Sequence, residues 1–242
     1  MKKIVYNLLL IISLCAFIFF GYKIYNYKKE EKAQNELNRE IVESVIVLNN
    51  DVEESDEPLK VDFTALKEKN NDIVAWIYSE DTQINYPIVK AKNNDYYLHR
   101  LIDGSYNIAG TLFMDYRNSI DFTDYNTIIF GHNMKNGTMF GSLPNYQKQD
   151  YYDSHKEIYL YTENKNYLIE IFAGYIASSE SDIYKFPKTV DTNEKLIKTA
   201  INNSTFKSNV EPTKDDKIIT LSTCTYTFEN ARYILVGRLK EI

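Results

Sequence analysis

Cysteine is nearly missing from this chain: Cys15 and Cys224 are the two present in 242 residues, beside three histidines. Those counts exclude a disulfide-built scaffold and a Cys/His zinc cluster. Glycine (8) and proline (5) are also scarce, so no long flexible linker or collagen-like repeat is encoded. Positive charge is short wherever it would matter for nucleic acid. The chain holds 28 Lys and Arg against 34 Asp and Glu, and six of the basic residues fall within the first 32 positions. Residues 33–242 therefore carry a net charge of −10. A body this acidic lacks the basic surface that neutralises phosphates, which excludes nucleic acid as a partner.

Charge is absent altogether from one segment. After Lys2 and Lys3, nineteen residues from Ile4 to Tyr22 carry no formal charge. As a helix this run reaches roughly 28 Å, the thickness of a bilayer's hydrocarbon core. The alternatives are a cleaved signal peptide and a lipidated Cys15. Bulky residues follow Ala16 (Phe17, Ile18, Phe19, Phe20), and Leu14 precedes Cys15 where either process wants small side chains. The expectation is an uncleaved single-pass anchor over residues 4–22, with Cys15 as apolar filler. Lys23, Lys28, Lys29 and Lys32 on the far flank leave the orientation undecided by charge.

Residues 27–47 are rich in Lys, Glu, Gln and Asn, with Leu37, Ile41, Val45 and Leu48 at helical spacing, which predicts an amphipathic helix against the main domain or else a solvated stalk. Asn49 to Pro58 is an acidic linker and the expected boundary of a domain spanning residues 62–242; residues 23–61 form the connecting region. Asp62-Phe63-Thr64 opens a short helix with Leu66 placed to bury. Beyond it come eight short runs rich in Ile, Val, Tyr and Phe: 74–78, 84–89, 110–114, 127–131, 158–161, 167–177, 217–224 and 232–239. Such spacing predicts a mainly β fold with helices, closed or nearly closed as an eight-stranded barrel. A helix over 191–202 is inserted before the strand that ends in Cys224.

That strand carries the chemistry. Alternation puts Ile219 and Leu221 on one face and Thr220, Ser222 and Cys224 on the other, so the thiol stands at a strand end among hydroxyls. A buried inert cysteine is the plainer alternative. Arg232 opens the next strand, and Thr225–Ala231 suffices to turn the chain so that thiol and guanidinium meet. Such a cation would favour the thiolate and could hold an oxyanion. Five arginines stand beside 23 lysines, so a position that takes a bidentate fork is notable. His132 follows the 127–131 strand at a Gly131 junction, a place from which imidazole can enter a cleft and serve a cysteine as acid or base. His99 and His155 are expected on the surface.

In combination, Thr220-Leu221-Ser222-Thr223-Cys224, Arg232, and Phe130-Gly131-His132-Asn133 upstream resemble the sortase family. Trp76-Ile77, Asn85-Tyr86-Pro87, Asp115-Tyr116-Arg117-Asn118 and the run from His132 to Phe140 resemble its class B in particular. The resemblance spans roughly residues 62–242. It implies a sortase-like closed barrel with N-terminal helices, an extracytoplasmic catalytic domain held by the anchor, and a cysteine transpeptidase of Gram-positive surfaces. Cys224 would attack the carbonyl after Thr in a sorting signal, of Asn-Pro-x-Thr or Ser/Pro-Pro-x-Thr type, near the C-terminus of a secreted protein. An amine of peptidoglycan, or of its lipid-linked precursor, would resolve the thioacyl-enzyme. His132 would protonate the leaving amine, and Arg232 would stabilise the oxyanion or the substrate backbone. Asn85 is implied as a peptide contact, with Ser222 and Thr223 as groove residues. The resemblance implies neither a metal nor another cofactor. Two further readings stay open: a hydrolytic Cys peptidase or amidase using the same three residues, and a membrane-tethered binding module with an inert Cys224.

Overall fold

In a computed structural model, residues 2–48 and 57–242 are described. Most of the acidic stretch 49–58 lies outside them. Helix α1 (Lys2–Val45) runs 44 residues without interruption. The sequence separates an apolar span from an amphipathic helix, but nothing between them stops helix propagation: no proline occurs and Gly21 is tolerated in the interior. By length and composition α1 could cross a membrane, and its apolar half is bare, with Ile4, Leu9, Phe17 and Tyr25 all exposed.

Strands β1 (Ile46–Leu48) and β2 (Leu59–Val61) pair antiparallel. Asp62 then caps α2 (Phe63–Lys69) through a 3.0 Å bond from Ala65 N, and Leu66 is fully buried as its spacing demands. The barrel follows: β3 (Ile73–Tyr78), β4 (Asn85–Val89), β5 (Leu112–Met114), β6 (Asn126–Phe130), β7 (Glu157–Tyr161), β8 (Asn166–Ser178), β9 (Ile218–Cys224) and β10 (Ala231–Glu241). Helix α3 (Gln149–Ser154) precedes β7, and α4 (Val190–Asn203) lies between β8 and β9. The strands close in the order β10-β8-β7-β3-β4-β5-β6-β9, with β4–β5 and β6–β9 parallel and the other pairs antiparallel. Closure removes the unpaired edges an open sheet would expose.

Period-two alternation sorts the side chains. Ile77, Ile88, Leu112, Ile129, Ile158, Ile171, Leu221 and Leu235 fill the interior. The outer face is covered in two places. Ile41 and Val45 of α1, with Phe63 and Leu66 of α2, pack on Ile73, Trp76 and Val89. Leu196, Ile197 and Ala200 of α4 pack on Phe172, Tyr175, Ile218 and Ile234. Between these two covers the outer face near the end of β9 stays open as a cleft.

Candidate active site

On β9 the inward residues Ile219 and Leu221 belong to the barrel core. Outward, Ile218 packs under α4, Thr220 bonds Asn126 Oδ1 at 2.7 Å, and Ser222 and Cys224 reach the cleft. Antiparallel pairing sets Arg232 of β10 directly opposite Cys224, on the same face. Across the other edge, parallel pairing sets Phe130 of β6 beside Ser222. Two residues further along both chains, His132 draws level with Cys224. Bonds hold this extension in step: Gly131 N donates to Ser222 O at 3.1 Å, and Asn133 Nδ2 donates to Cys224 O at 2.9 Å. Imidazole, thiol and guanidinium thus stand in a row across three neighbouring strands. All three line one cleft of about 250 Å³. Gly131 is required there, because a Cβ would collide with Leu112 and Phe140.

His132 is held from outside the strands. Its Nε2 lies 2.7 Å from Leu98 O, at a short 3₁₀ helix over Tyr96–His99. A carbonyl can only accept, so Nε2 carries the hydrogen and Nδ1 keeps the lone pair available for proton transfer. The exposed ring of His99 stacks on His132 with centroids 5.4 Å apart. Burial pushes the His132 pKa below the usual histidine value; the Leu98 carbonyl opposes that shift and His99 adds to it. Cys224 is half-buried at its strand end, and Arg232 spends one N–H on Ala231 O at 3.1 Å.

Ser222 and Thr223 both line the cleft, yet each is tied up. Ser222 shares a 2.8 Å bond with Tyr184 hydroxyl, and Thr223 donates to Gly131 O at 2.8 Å. Asn85 is not among the lining residues. Its Oδ1 accepts from Trp76 Nε1 at 2.7 Å, and its backbone carbonyl accepts from Asn38 of α1 at 3.3 Å. Those bonds make it a support for the β3–β4 pair. His155 is also remote, stacked on Tyr151 beside α3.

Tyr184, Asn94 and Arg117 also line the cleft. Tyr184 stacks on Phe130, and burial pushes its hydroxyl up to about 12, with Ser222 and the Arg232 charge pulling against it. Asn94 donates to Asp115 Oδ2 at 3.1 Å and accepts from Tyr116 N. Arg117 forms a two-pronged bond to Asp115 at 2.8 and 2.7 Å and lies over Phe186 at 4.3 Å. Asp115-Tyr116-Arg117 was visible as a motif; Asn94 sits in a bend and Tyr184 in a single 3₁₀ turn, both too short to show a period.

Comparison with known proteins points one way. Residues 77–240 match the sortase domain. The chain is 36% identical to Sortase B of Listeria monocytogenes, over 96% of this chain and 95% of that protein. It is 31% identical to Sortase B of Staphylococcus aureus, over 93% and 92%. Among solved structures, sortase B of Bacillus anthracis in complex with AAEK1 superposes with a TM-score of 0.76 at 33% identity, covering 90% of this chain and 100% of that one. A Staphylococcus aureus sortase B–substrate complex gives 0.76 at 28% identity, covering 89% and 98%.

Proposed function

The chain belongs to the sortase family, as a cysteine transpeptidase of the sortase B group, and from that premise we propose that Cys224, His132 and Arg232 carry its reaction on a sorting-signal peptide. The single observation that supports this most is the register across β6, β9 and β10, which brings imidazole, thiol and guanidinium level in one cleft.

In the proposed reaction, the Cys224 thiolate adds to the carbonyl carbon that follows Thr. Arg232 offers fixed N–H donors and a permanent charge to the tetrahedral oxyanion. As the intermediate collapses, the C–N bond breaks and protonated His132 delivers its proton to the departing amine, which would otherwise leave poorly. A thioester remains on Cys224. The incoming amine, from peptidoglycan or its lipid-linked precursor, attacks that thioester and gives its proton to neutral His132. The new amide departs and the thiolate is restored. Nε2–H stays on Leu98 throughout, so Nδ1 handles both transfers.

Sortases work at the cell surface. We propose that residues 4–22 within α1 anchor the chain as a single span, residues 1–3 remain cytoplasmic, residues 23–61 connect, and the barrel domain 62–242 lies outside. The test is to mix the full chain in detergent with peptides of the two motif types, with and without a short glycine amine, and to identify products by mass. The expected result is a Thr–amine conjugate. Cleavage with no amine ever incorporated would overturn the transfer, and an unmodified peptide with both motifs would overturn the substrate.

A further inference from the structure

His132 hangs between two irregular segments, and α1 holds both. One segment supplies Leu98 O to the ring. It is braced by Asn107, whose backbone N donates to His99 O at 3.1 Å, and by Thr111, whose hydroxyl donates to Arg100 O at 2.9 Å. The brace is tight: Gly110 has φ +57, and a Cβ there would lie 2.5 Å from Leu98 O. Glu30 of α1 reaches this brace twice. Its carboxylate accepts from Ile108 N at 2.9 Å, and its backbone carbonyl accepts from the buried Asn107 carboxamide at 2.8 Å.

The second segment runs on from His132 itself. Phe140 N donates to His132 O, and Asn133 bridges to Met139. Asn136 organises the turn by accepting from Thr138 N and Oγ1, while Met139 takes a positive φ of 56°. Glu31 grips that turn by accepting from Asn136 Nδ2 at 2.7 Å, its other oxygen being paired with Lys28 at 2.6 Å. One turn later Gln34 is buried against the same loop, 3.8 Å from Met139 sulfur.

We propose that Glu30 and Glu31 are positioning residues for His132: adjacent carboxylates on α1 that fix, one from each side, the two segments that orient the imidazole. They touch neither substrate nor thiol in this arrangement. They act by keeping Leu98 O and the 133–139 loop in register, so that Nε2–H stays committed and Nδ1 stays free. A small displacement of such a group can slow a reaction by one to two orders of magnitude. The proposal rests on the reading of His132 as the acid and base, and its primary readout needs no turnover.

The experiment uses the full chain in detergent with ¹⁵N-labelled histidine. Three histidines make the spectrum simple, and His132→Gln assigns the ring in question. The E30A/E31A variant should lose protection of the His132 Nε2–H against exchange. E30Q/E31Q should restore it, because each glutamine keeps an accepting oxygen. In the conjugation assay, E30A/E31A should lower kcat by about tenfold with the peptide KM changed less than about twofold. An Nε2–H as protected in E30A/E31A as in the parent would overturn the proposal. So would a kcat loss that tracks a lower melting temperature and is not recovered in E30Q/E31Q. If no variant or parent conjugates peptide, the transpeptidase reading fails while the exchange result still decides the positioning.

Discussion

The two walls of the cleft are built by different means. Cys224 and Arg232 stand on paired strands, where each position is set by a ladder of backbone bonds running the length of β9 and β10. His132 stands two residues past the end of its strand and is set by a carbonyl, a stacked ring and a neighbouring asparagine. A ladder fixes a side chain to a face as a matter of parity, whereas a loop fixes it through a few bonds that can each be removed. In the proposed reaction the strand wall supplies the nucleophile and the permanent charge, and the loop wall supplies the group that takes up and releases a proton.

Variants on the strand wall should show the largest effects and the cleanest folds. Cys224→Ala should abolish conjugation, by roughly 10³-fold or more, with the melting temperature unchanged, as measured by product mass and calorimetry. Arg232→Lys keeps the charge and loses the planar fork. It should cost roughly 10²-fold in kcat/KM, and an effect under about threefold would deny the guanidinium an oxyanion role. Asn85→Ala sharpens the contrast from elsewhere. Loss of the acceptor for Trp76 Nε1 should cost about 1–3 kcal/mol in denaturant unfolding while the peptide KM stays put. A KM rise without a stability loss would return Asn85 to the substrate. Tyr184→Phe removes one 2.8 Å bond to Ser222 and should cost about 1 kcal/mol.

The smallest effect concerns pH on the loop wall. Burial holds His132 below the usual histidine value in the folded chain. As pH falls through about 6.5 the unfolded chain takes up that proton first, so folding stability declines from there down to the lowered folded value. His132→Gln should therefore flatten the stability profile in that window, and an unchanged slope would mean the ring is not held neutral.

The same contrast decides what the amino-acid pattern disclosed. All eight barrel strands were visible as short runs rich in Ile, Val, Tyr and Phe, with ends displaced by one or two residues, because a strand covered on both faces buries nearly every side chain. The outward placement of Cys224 and its pairing with Arg232 followed from counting along β9 and the turn. The parallel partnership of β6 with β9 was not legible, since nothing local to Thr127 or Ile219 encodes which distant strand lies alongside. Leu98 and Tyr184 reach the cleft from single 3₁₀ turns, and Asn94 from a bend, all too short to show a period. Asn85 was drawn toward substrate by its Tyr86-Pro87 context, yet its carboxamide is engaged by an indole nine residues upstream in the sequence. The division of α1 into two helices came from a change of composition, which alters what a helix touches without ending it.

That unbroken rod has a mechanical consequence. A helix advances 1.5 Å and turns about 100° per residue. For a chain held by its first apolar turns, one residue inserted between Tyr25 and Glu30 would swing the cleft nearly a third of the way around the rod while barely lifting it. Seven residues would return it to nearly the same heading, about 10 Å further out. Under the proposed anchor, the number of residues below Glu30 thus sets both the altitude and the azimuth at which the cleft opens.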